Sequence, residues 1–190
     1  MATMIPQYSL NVGELATMST SQRESYNQFF ESTLDSHHSV ISRVVSSYER
    51  NPALQEELYQ EISVALWKAL AKFDNQSSLK TYILSIAHKR AVSHVAKHVK
   101  EPYSVEIETL ELSGEDCPSQ QMSQTQRMQR LMSAMYQLPM ADRQLVTLAL
   151  EGLSYQEIAD ILGITVSNVG VKLNRAKNKL NQILSTEKQA

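Results

Sequence analysis

This 190-residue sequence has little of what several protein classes require. Its one cysteine, Cys117, cannot form a disulfide within the chain, and no set of zinc ligands surrounds it. Five glycines and five prolines are too few for a fibrous or loop-rich protein. No apolar run approaches the roughly 20 residues that span a bilayer, and the N-terminus lacks the basic and apolar segments of a signal peptide. These absences predict a cytoplasmic protein without membrane insertion.

The formal net charge of -2 conceals an uneven distribution along the chain. Residues 67–100 carry seven basic and one acidic side chain, and residues 167–190 carry five and one. Between these blocks, residues 101–126 carry six acidic side chains and no basic one. Two basic blocks separated by an acidic spacer indicate two contacts with nucleic acid, although solvated helix faces could produce the same pattern.

Helical periodicity dominates the chain outside that spacer. Apolar residues recur at three- and four-residue steps, as in Leu58, Ile62 and Leu66. The spacer is rich in Ser and Gln and contains Gly114 and Pro118, which is typical of a linker; its YSVEIETLEL stretch could pass for a strand, but no partner strand is apparent. We therefore predict an all-α protein of two small helical domains joined by a flexible acidic linker. The predicted parts are a tail over 1–23, a first domain over 24–100, the linker over 101–126 and a second domain over 127–190.

The second domain has the pattern of a helix-turn-helix. Ser154 and Glu157 form a capping box, in which hydroxyl and carboxylate satisfy the free amides at a helix start. Gly163 can adopt the left-handed conformation that ends this helix, and Thr165 or Ser167 can cap the next one. In that second helix an apolar stripe lies opposite Asn168, Lys172, Arg175 and Lys179, which are placed to enter a major groove. A plain helical hairpin with a basic solvated side is the alternative interpretation.

The first domain combines aromatic and basic residues around a polar loop. Trp67, Phe73 and Tyr82 flank the loop at 74–78, and Lys80, Lys89, Arg90, His94 and Lys97 follow it. Rings beside cations suit an unstacked base and a strand backbone, although Phe73 is better explained as a core residue. His94 and His98 are four residues apart and could share a metal, but no third ligand is apparent in the sequence, so we predict no metal site and no cofactor.

Four segments resemble bacterial sigma factors of the small, two-domain extracytoplasmic-function type. They are ELYQEISVALWKAL, KFDNQSSLKTYILSIAHKRAVSHV, LPMADRQLVTLALEGLSYQEIADILGIT and VKLNRAKNKL, in the family's order and spacing. The resemblance implies a promoter-melting domain, a linker and a helix-turn-helix domain that reads the minus-thirty-five element. It also implies core RNA polymerase and promoter DNA as partners, and leaves an anti-sigma factor as a further candidate partner.

The resemblance assigns roles to individual residues. It places Glu57, Gln60 and Glu61 on the helix that binds the polymerase clamp. For the minus-ten element it indicates the loop Asp74, Asn75, Gln76, Ser77 and Ser78, followed by Lys80, Tyr82, Lys89, Arg90, His94 and Lys97. For the minus-thirty-five element it indicates Thr165, Ser167, Asn168, Val171, Lys172, Arg175 and Lys179. Gly170 and Val171 stand where family members often have a basic and a hydroxyl residue, so the base preference does not follow from the family.

Two other functions fit part of the sequence. A stand-alone helix-turn-helix regulator explains residues 127–184 but not the pattern from Glu57 to His98. A helical adaptor that binds only protein would leave both basic blocks without a role. An enzyme is not predicted, because the sequence shows no nucleophile–base pair, phosphate loop or cluster of ligands, and no catalytic residue is assigned.

Overall fold

The structure, a computed structural model, describes residues 19–100 and 124–186. Within these ranges it consists of helices without strands, which confirms the all-α prediction. In chain order the helices are α1 (Thr20–Tyr48), α2 (Pro52–Leu70), α3 (Leu79–Lys100), α4 (Gln124–Tyr136), α5 (Met140–Leu150), α6 (Tyr155–Leu162) and α7 (Val166–Thr186). The YSVEIETLEL segment and nearly all of the predicted linker lie outside the described residues, as does most of the predicted tail.

Polar residues at the helix starts explain where the first three helices begin. The Ser19 hydroxyl accepts from the Gln22 amide while the Gln22 side chain accepts from the Ser19 amide, which is a complete capping box. The Asn51 side chain caps α2, whose first residue is Pro52. The Ser78 hydroxyl accepts from the Thr81 amide at the start of α3. Helix α1 therefore begins four residues before the predicted domain start at residue 24, and α4 begins three residues before residue 127.

Helices α1 to α3 pack as one three-helix unit around apolar side chains. The predicted stripe of α2 is buried at Leu58, Ile62 and Leu66, and Ile83 and Ala87 face it from α3. Apolar burial on one face of each helix is the main stabilising contribution in such a unit. None of the helices in the two described ranges combines the length and apolar character needed to cross a bilayer.

Helices α4 to α7 form the second unit. Ile158 of α6 and Val169 and Leu173 of α7 are almost completely buried, as the sequence predicts. Pro139 directly precedes α5. Met128 of α4 is apolar but 47% exposed, so it lies outside the core of this unit.

A buried carboxylate joins the two units. Glu151, at the end of α5, is held by Arg43 of α1, whose Nε and Nη2 donate to the two carboxylate oxygens over 2.6 and 3.1 Å. Lys80 of α3 lies 3.4 Å from the same carboxylate and donates to the Glu151 carbonyl. The Glu151 side chain is only 4% exposed. Because a buried anion is unfavourable unless it is paired, this geometry fixes the two units against each other.

The beginning of α6 makes a second contact with α3. The Thr81 hydroxyl donates to Glu157 over 2.6 Å, and Glu157 is also the carboxylate of the capping box with Ser154. These hydrogen bonds lower the pKa of Glu157, with the Thr81 bond as the largest cause. The cap of the helix-turn-helix is thus shared with the first domain.

The third contact involves an aromatic ring on α4. The Tyr136 hydroxyl donates to the backbone carbonyls of Ser46 and Glu49, which are at the end of α1. Guanidinium groups of Arg50 and Arg143 lie 4.3 and 5.1 Å from the centre of its ring, which are cation–π distances. Arg143 also donates to carbonyls at the ends of α1 and α4, so it satisfies groups that helix ends leave free.

A buried histidine in the first domain connects stability to pH. The His88 ring is 6% exposed, and the Tyr48 hydroxyl lies 2.6 Å from its Nδ1. The pKa of His88 is lowered to about 4, mainly by burial and secondly by the positive charge of Lys89. The folded protein therefore keeps this imidazole neutral, and one hydrogen bond joins its Nδ1 to the Tyr48 hydroxyl.

We expect Arg43→Ala to loosen the contact between the two units. Glu151 would retain only Lys80, and the lost charged hydrogen bonds correspond to about 1–2 kcal/mol after allowance for screening at a side chain that is 40% exposed. Small-angle scattering should show a larger radius of gyration for Arg43→Ala than for wild type. Arg23→Ala, which removes an arginine from the other end of α1, is the control. Identical radii for all three proteins would mean that this ion pair does not hold the units together.

We expect stability to fall as the pH decreases from 7 to 4, in part because of His88. The pKa of His88 is about 4 in the folded protein and near 6.5 in the unfolded chain, so the unfolded chain binds the proton at a higher pH. Protonation therefore stabilises the unfolded state relative to the folded state by up to about 3 kcal/mol. His88→Asn keeps an acceptor near the Tyr48 hydroxyl but does not titrate. Urea unfolding at several pH values should show a shallower pH dependence for the variant. Parallel curves for the two proteins would rule out this contribution.

Candidate nucleic-acid and polymerase interfaces

The helix-turn-helix forms as the sequence predicts. Ser154 and Glu157 make both hydrogen bonds of the capping box, and Gly163 ends α6 with a φ of 66°, in the left-handed region. The Thr165 hydroxyl accepts from the Asn168 amide over 3.3 Å, so Thr165, rather than Ser167, caps α7. Because Gly163 lets the chain reverse within three residues, α7 crosses α6 with its apolar stripe inward.

All seven residues predicted for the minus-thirty-five element are exposed. Five of them recur at three- and four-residue steps along α7, which places them on one face of the helix, while the remaining two lie in its first turn and the preceding turn. The set is Thr165, Ser167, Asn168, Val171, Lys172, Arg175 and Lys179. Lys179 differs from the other two cations because it donates to Asp142 of α5 over 2.7 Å. Lys172 and Arg175 are the cations of this face for which no such contact is seen among residues 19–100 and 124–186.

Gly170 lies on the side of α7 that approaches α6. A methyl group added at its Cα would meet the Tyr155 ring at 3.6 Å, which is an ordinary packing distance. The residue has no positive φ, so neither strain nor a steric clash requires glycine at this position. Its place beside Tyr155 gives no indication of the close approach to a DNA backbone that glycine could otherwise permit.

The polar loop between α2 and α3 has a defined turn. Asp74 accepts from the Gln76 amide over 3.3 Å, and Asn75 adopts a positive φ of 60°. Asparagine is one of the few residues that tolerate this conformation, so the turn depends on the amino acid at this position. The side chains from Asp74 to Ser78 are all exposed. The five loop residues predicted for the minus-ten element therefore form one accessible surface.

The basic residues that follow the loop divide into two groups. Tyr82, Lys89, Arg90 and Lys97 lie within roughly 100° of one another around α3, given 3.6 residues per turn. Lys89, Arg90 and Lys97 are exposed and Tyr82 is half-buried. This face and the polar loop could receive a single strand.

Lys80 and His94 do not belong to this exposed face of α3. Lys80 contacts Glu151 of the second domain. His94 has no exposed side-chain surface and lies beside Glu61 of α2, with 3.6 Å between its Nδ1 and the nearer carboxylate oxygen. In this arrangement Lys80 is engaged between the domains and His94 is buried, and their assignment to the minus-ten DNA stays a prediction. Sequence spacing could not separate them from Lys89 and Arg90 without knowledge of the helix partners.

The three aromatic residues of this region have different environments. Phe73 is buried in the core, as the sequence favours. Trp67 is half-buried, packs edge-on against Tyr26 and donates to the Asn27 side chain. The Tyr82 ring lies 4.9 Å from that of Phe73, and its hydroxyl donates to the Ala69 carbonyl. Tyr82 therefore supports the base of the polar loop and keeps part of its ring accessible.

The three residues predicted to bind polymerase share one face of α2. Gln60 is exposed, while Glu57 and Glu61 are partly exposed. Val64, one turn further along this face, is 55% exposed although it is apolar. An exposed apolar side chain surrounded by polar ones suits a protein contact, which has an apolar centre and a polar rim. Val64 is not among the residues predicted from the sequence, although its spacing of three from Glu61 and seven from Glu57 could have indicated it.

The two candidate DNA surfaces border the clefts between the domains. One cleft is lined by Lys89 of α3 and Lys172 of α7, and the other by Gln76 and Tyr82 on one side and Glu157 on the other. Arg43 and Glu151, which join the two domains, are not among the residues predicted from the sequence. Their sequence separation of 108 residues gave no local signal for the pair.

Two family models match the chain. Residues 33–101 match sigma-70 region 2, and residues 128–180 match sigma-70 region 4. The first match covers α2, the polar loop and α3, and the second covers the helix-turn-helix. A stand-alone helix-turn-helix regulator or a protein-binding adaptor would not account for both matches.

Curated relatives match over most of the chain. RNA polymerase sigma factor YlaC of Bacillus subtilis is 30% identical over 138 residues, which are 70% of this chain and 79% of that protein. RNA polymerase sigma factor CnrH of Cupriavidus metallidurans is 26% identical over 178 residues, 88% of this chain and 93% of the relative. The ECF RNA polymerase sigma-E factor of Escherichia coli K12 is 26% identical over 153 residues, with 75% and 78% coverage.

Solved structures share the fold. The structure of CnrH in complex with the cytosolic domain of CnrY aligns with a TM-score of 0.61 and 19% identity, covering 92% of this chain and 94% of that chain. The sigma factor RpoE in complex with the anti-sigma factor NepR, from Bartonella quintana, aligns with a TM-score of 0.64 and 22% identity, covering 85% and 98%.

Proposed function

This chain belongs to the extracytoplasmic-function group of the sigma-70 family, and on that premise we propose how its surfaces divide the work of promoter recognition. As a sigma factor it directs RNA polymerase to promoters. The exposed face of α7 reads the minus-thirty-five element, the polar loop and α3 capture the separated minus-ten strand, and α2 binds the core enzyme. The single observation that carries this proposal is the exposure of all seven residues predicted for the minus-thirty-five element, five of them on one face of α7, while the apolar stripe of the same helix is buried.

Core polymerase supplies affinity that neither DNA surface has alone. A helix with two or three available cations neutralises few phosphates, so binding by the free chain is weak at physiological salt. A net charge of -2 further reduces binding to bulk DNA. The chain has no catalytic role in this proposal, acts in the cytoplasm with the polymerase and needs no cofactor for these contacts.

Promoter recognition requires the two domains to separate. The two promoter elements are about 25 base pairs apart by their names, which is about 85 Å of B-form DNA. Domains that touch through Glu151 and Glu157 do not reach both elements at once. Opening also releases Lys80 from Glu151 and makes it available to the minus-ten DNA.

We propose that an anti-sigma factor acts on the equilibrium between the closed and the separated arrangement of the two domains. RpoE was solved with the anti-sigma factor NepR, and CnrH with the cytosolic domain of CnrY. We extend this to the present chain: a protein that binds across the clefts stabilises the closed arrangement and covers Lys89 and Lys172, which line one of them. A ligand can shift the equilibrium only by its preference for one arrangement, so this partner must bind the closed form more tightly.

Substitution of Lys172 or Arg175 by Ala should weaken recognition of the minus-thirty-five element. The loss should be about 1–3 kcal/mol at one base position if the side chain makes a bidentate base contact, and even across sequences if it contacts only phosphate. To distinguish these two outcomes, the affinity of the holoenzyme is measured on promoters that each carry one changed base in the minus-thirty-five element. Lys177→Ala is the matched control, since Lys177 is an exposed lysine half a turn away on α7. An equal loss for Lys177→Ala would contradict the assigned face.

Loop substitutions should impair strand separation rather than initial binding. Asn75→Gly keeps the positive φ while removing the amide side chain, and Gln76→Ala removes the neighbouring one. Both variants should form closed complexes that open poorly, because a pocket for an unstacked base acts only on separated strands. Permanganate footprinting reports the melted bases, and a pre-melted template should restore part of the activity. The roles are reversed if these variants open promoters normally while Arg175→Ala binds normally and fails to open them.

Charge reversal of Glu57 and Glu61 together should reduce association with core polymerase. Both carboxylates lie at the surface of α2, so the double variant should remain helical by circular dichroism. Copurification with core enzyme measures the effect, with the double variant Glu24→Lys and Glu31→Lys on α1, where both residues are exposed, as a control for the same charge change elsewhere. Wild-type recovery of polymerase by the double variant would remove α2 from the proposed interface.

A further inference from the structure

Two histidines and a glutamate from neighbouring helices come together beside the predicted polymerase face. One ligand atom from each of Glu57, His94 and His98 lies within 4.8 Å of the others. Glu57 belongs to α2, and both histidines belong to α3, where a separation of four residues places them on one face. The sequence offered only the histidine pair, because the third ligand comes from a helix 37 residues earlier in the chain.

His94 is a buried polar side chain without a hydrogen-bond partner in the described parts of the chain. Its residue is 1% exposed, and both ring nitrogens lack partners among those residues. A buried imidazole without partners is unfavourable, and proteins keep such groups where another interaction compensates. The His98 ring lies against it, with 4.2 Å between the ring centres. One ring nitrogen of His94 lies within 4.8 Å of the ligand atoms of Glu57 and His98, so the unpartnered side chain belongs to this cluster.

The neighbouring groups already orient the ligands. The His98 Nδ1 is 3.0 Å from the His94 backbone carbonyl. Since a carbonyl only accepts, Nδ1 carries the proton and Nε2 presents a free lone pair. Glu61 is 3.6 Å from the Nδ1 of His94 and, after a small movement, can accept a hydrogen bond from this nitrogen. Carboxylates and carbonyls behind histidine ligands are a regular feature of metal sites.

From this arrangement we infer that Glu57, His94 and His98 form a binding site for a divalent transition-metal ion, with Zn²⁺ as the expected ion. Two imidazoles and one carboxylate are a zinc ligand set that leaves a fourth position for water. The same set admits Co²⁺, Ni²⁺ and Cu²⁺ but disfavours Mg²⁺, which prefers an all-oxygen octahedral shell. The i, i+4 spacing of the histidines is the one by which a helix commonly supplies two zinc ligands.

The required movement is small. Ligand atoms about 2.0–2.1 Å from a tetrahedral zinc are about 3.4 Å apart, so the separations must shorten by on the order of 1 Å. Glu57 and His98 are only partly buried and can rotate, while the core of the domain stays in place. Lys97, whose Nζ lies 3.8 Å from Glu57, must give up that weak surface ion pair.

Zinc at this position would join α2 to the last turns of α3. It would also neutralise Glu57, and any effect of that change on polymerase binding rests on the proposed function. The metal site itself does not depend on that function, since zinc binding can be measured on the free chain. Failure of the polymerase assignment would leave the zinc measurement unchanged.

The test is zinc titration of the full chain against a chromogenic chelator, in a Cys117→Ser background that removes the thiol as a competing ligand. We expect one zinc per chain, and a dissociation constant about tenfold or more higher for His98→Ala and for Glu57→Gln. His37→Ala is the matched control, since His37 is a helical histidine whose Nδ1 also lies beside the carbonyl four residues earlier, at 2.8 Å. Absence of zinc binding by wild type, or equal affinity of wild type and both site variants, would overturn the site.

A second measurement needs no substitution at the site. With ¹⁵N-labelled histidine, zinc should shift the ring nitrogen signals of His94 and His98 and leave those of His37 and His38 in place. Zinc should also raise the melting temperature of wild type by several degrees, because an ion that binds only the folded state stabilises it. Shifts confined to His37 and His38, or no shifts, would show that zinc does not occupy this site.

Discussion

The carboxylate of Glu151 is the constraint on which the closed arrangement depends. It lies at the end of α5, almost without exposed surface, between the guanidinium of Arg43 and the ammonium of Lys80. These two cations come from different helices of the first domain, so one anion of the second domain fixes both. Because a buried anion must remain paired, the domains can part only when solvent or another partner takes over its hydrogen bonds. This makes the contact suitable for a transition between two discrete states.

In our proposal, the closed arrangement explains why the proposed DNA-contacting surfaces can coexist with an acidic chain. Lys80 and Thr81, next to the minus-ten loop, are engaged by Glu151 and by the cap of α6. The recognition face of α7 stays exposed, but it borders a cleft that the first domain also lines. In our proposal, core polymerase separates the domains and sets their spacing on the promoter. Specificity then comes from both domains together, although each alone binds DNA weakly.

Most of the fold follows from the sequence, whereas part of the site does not. The Ser154–Glu157 capping box and Gly163 predicted the helix-turn-helix because caps and left-handed turns are local features. The exposed face of α7 follows from its periodicity for the same reason. The burial of His94, the engagement of Lys80 and the pair Arg43–Glu151 depend on contacts between distant segments. Periodicity assigns a residue to a helix face, but it does not reveal which helix covers that face.

The most direct test is the distance between the two DNA-contacting surfaces, measured by single-molecule fluorescence energy transfer. Dyes on cysteines introduced at Gln76 and Lys177, in a Cys117→Ser background, report on the minus-ten loop and on α7; both positions are exposed. The account predicts one short distance in the free chain and a much longer one, approaching about 85 Å, in the complex with core polymerase and promoter. An unchanged short distance in complexes that still initiate transcription at the promoter would contradict it.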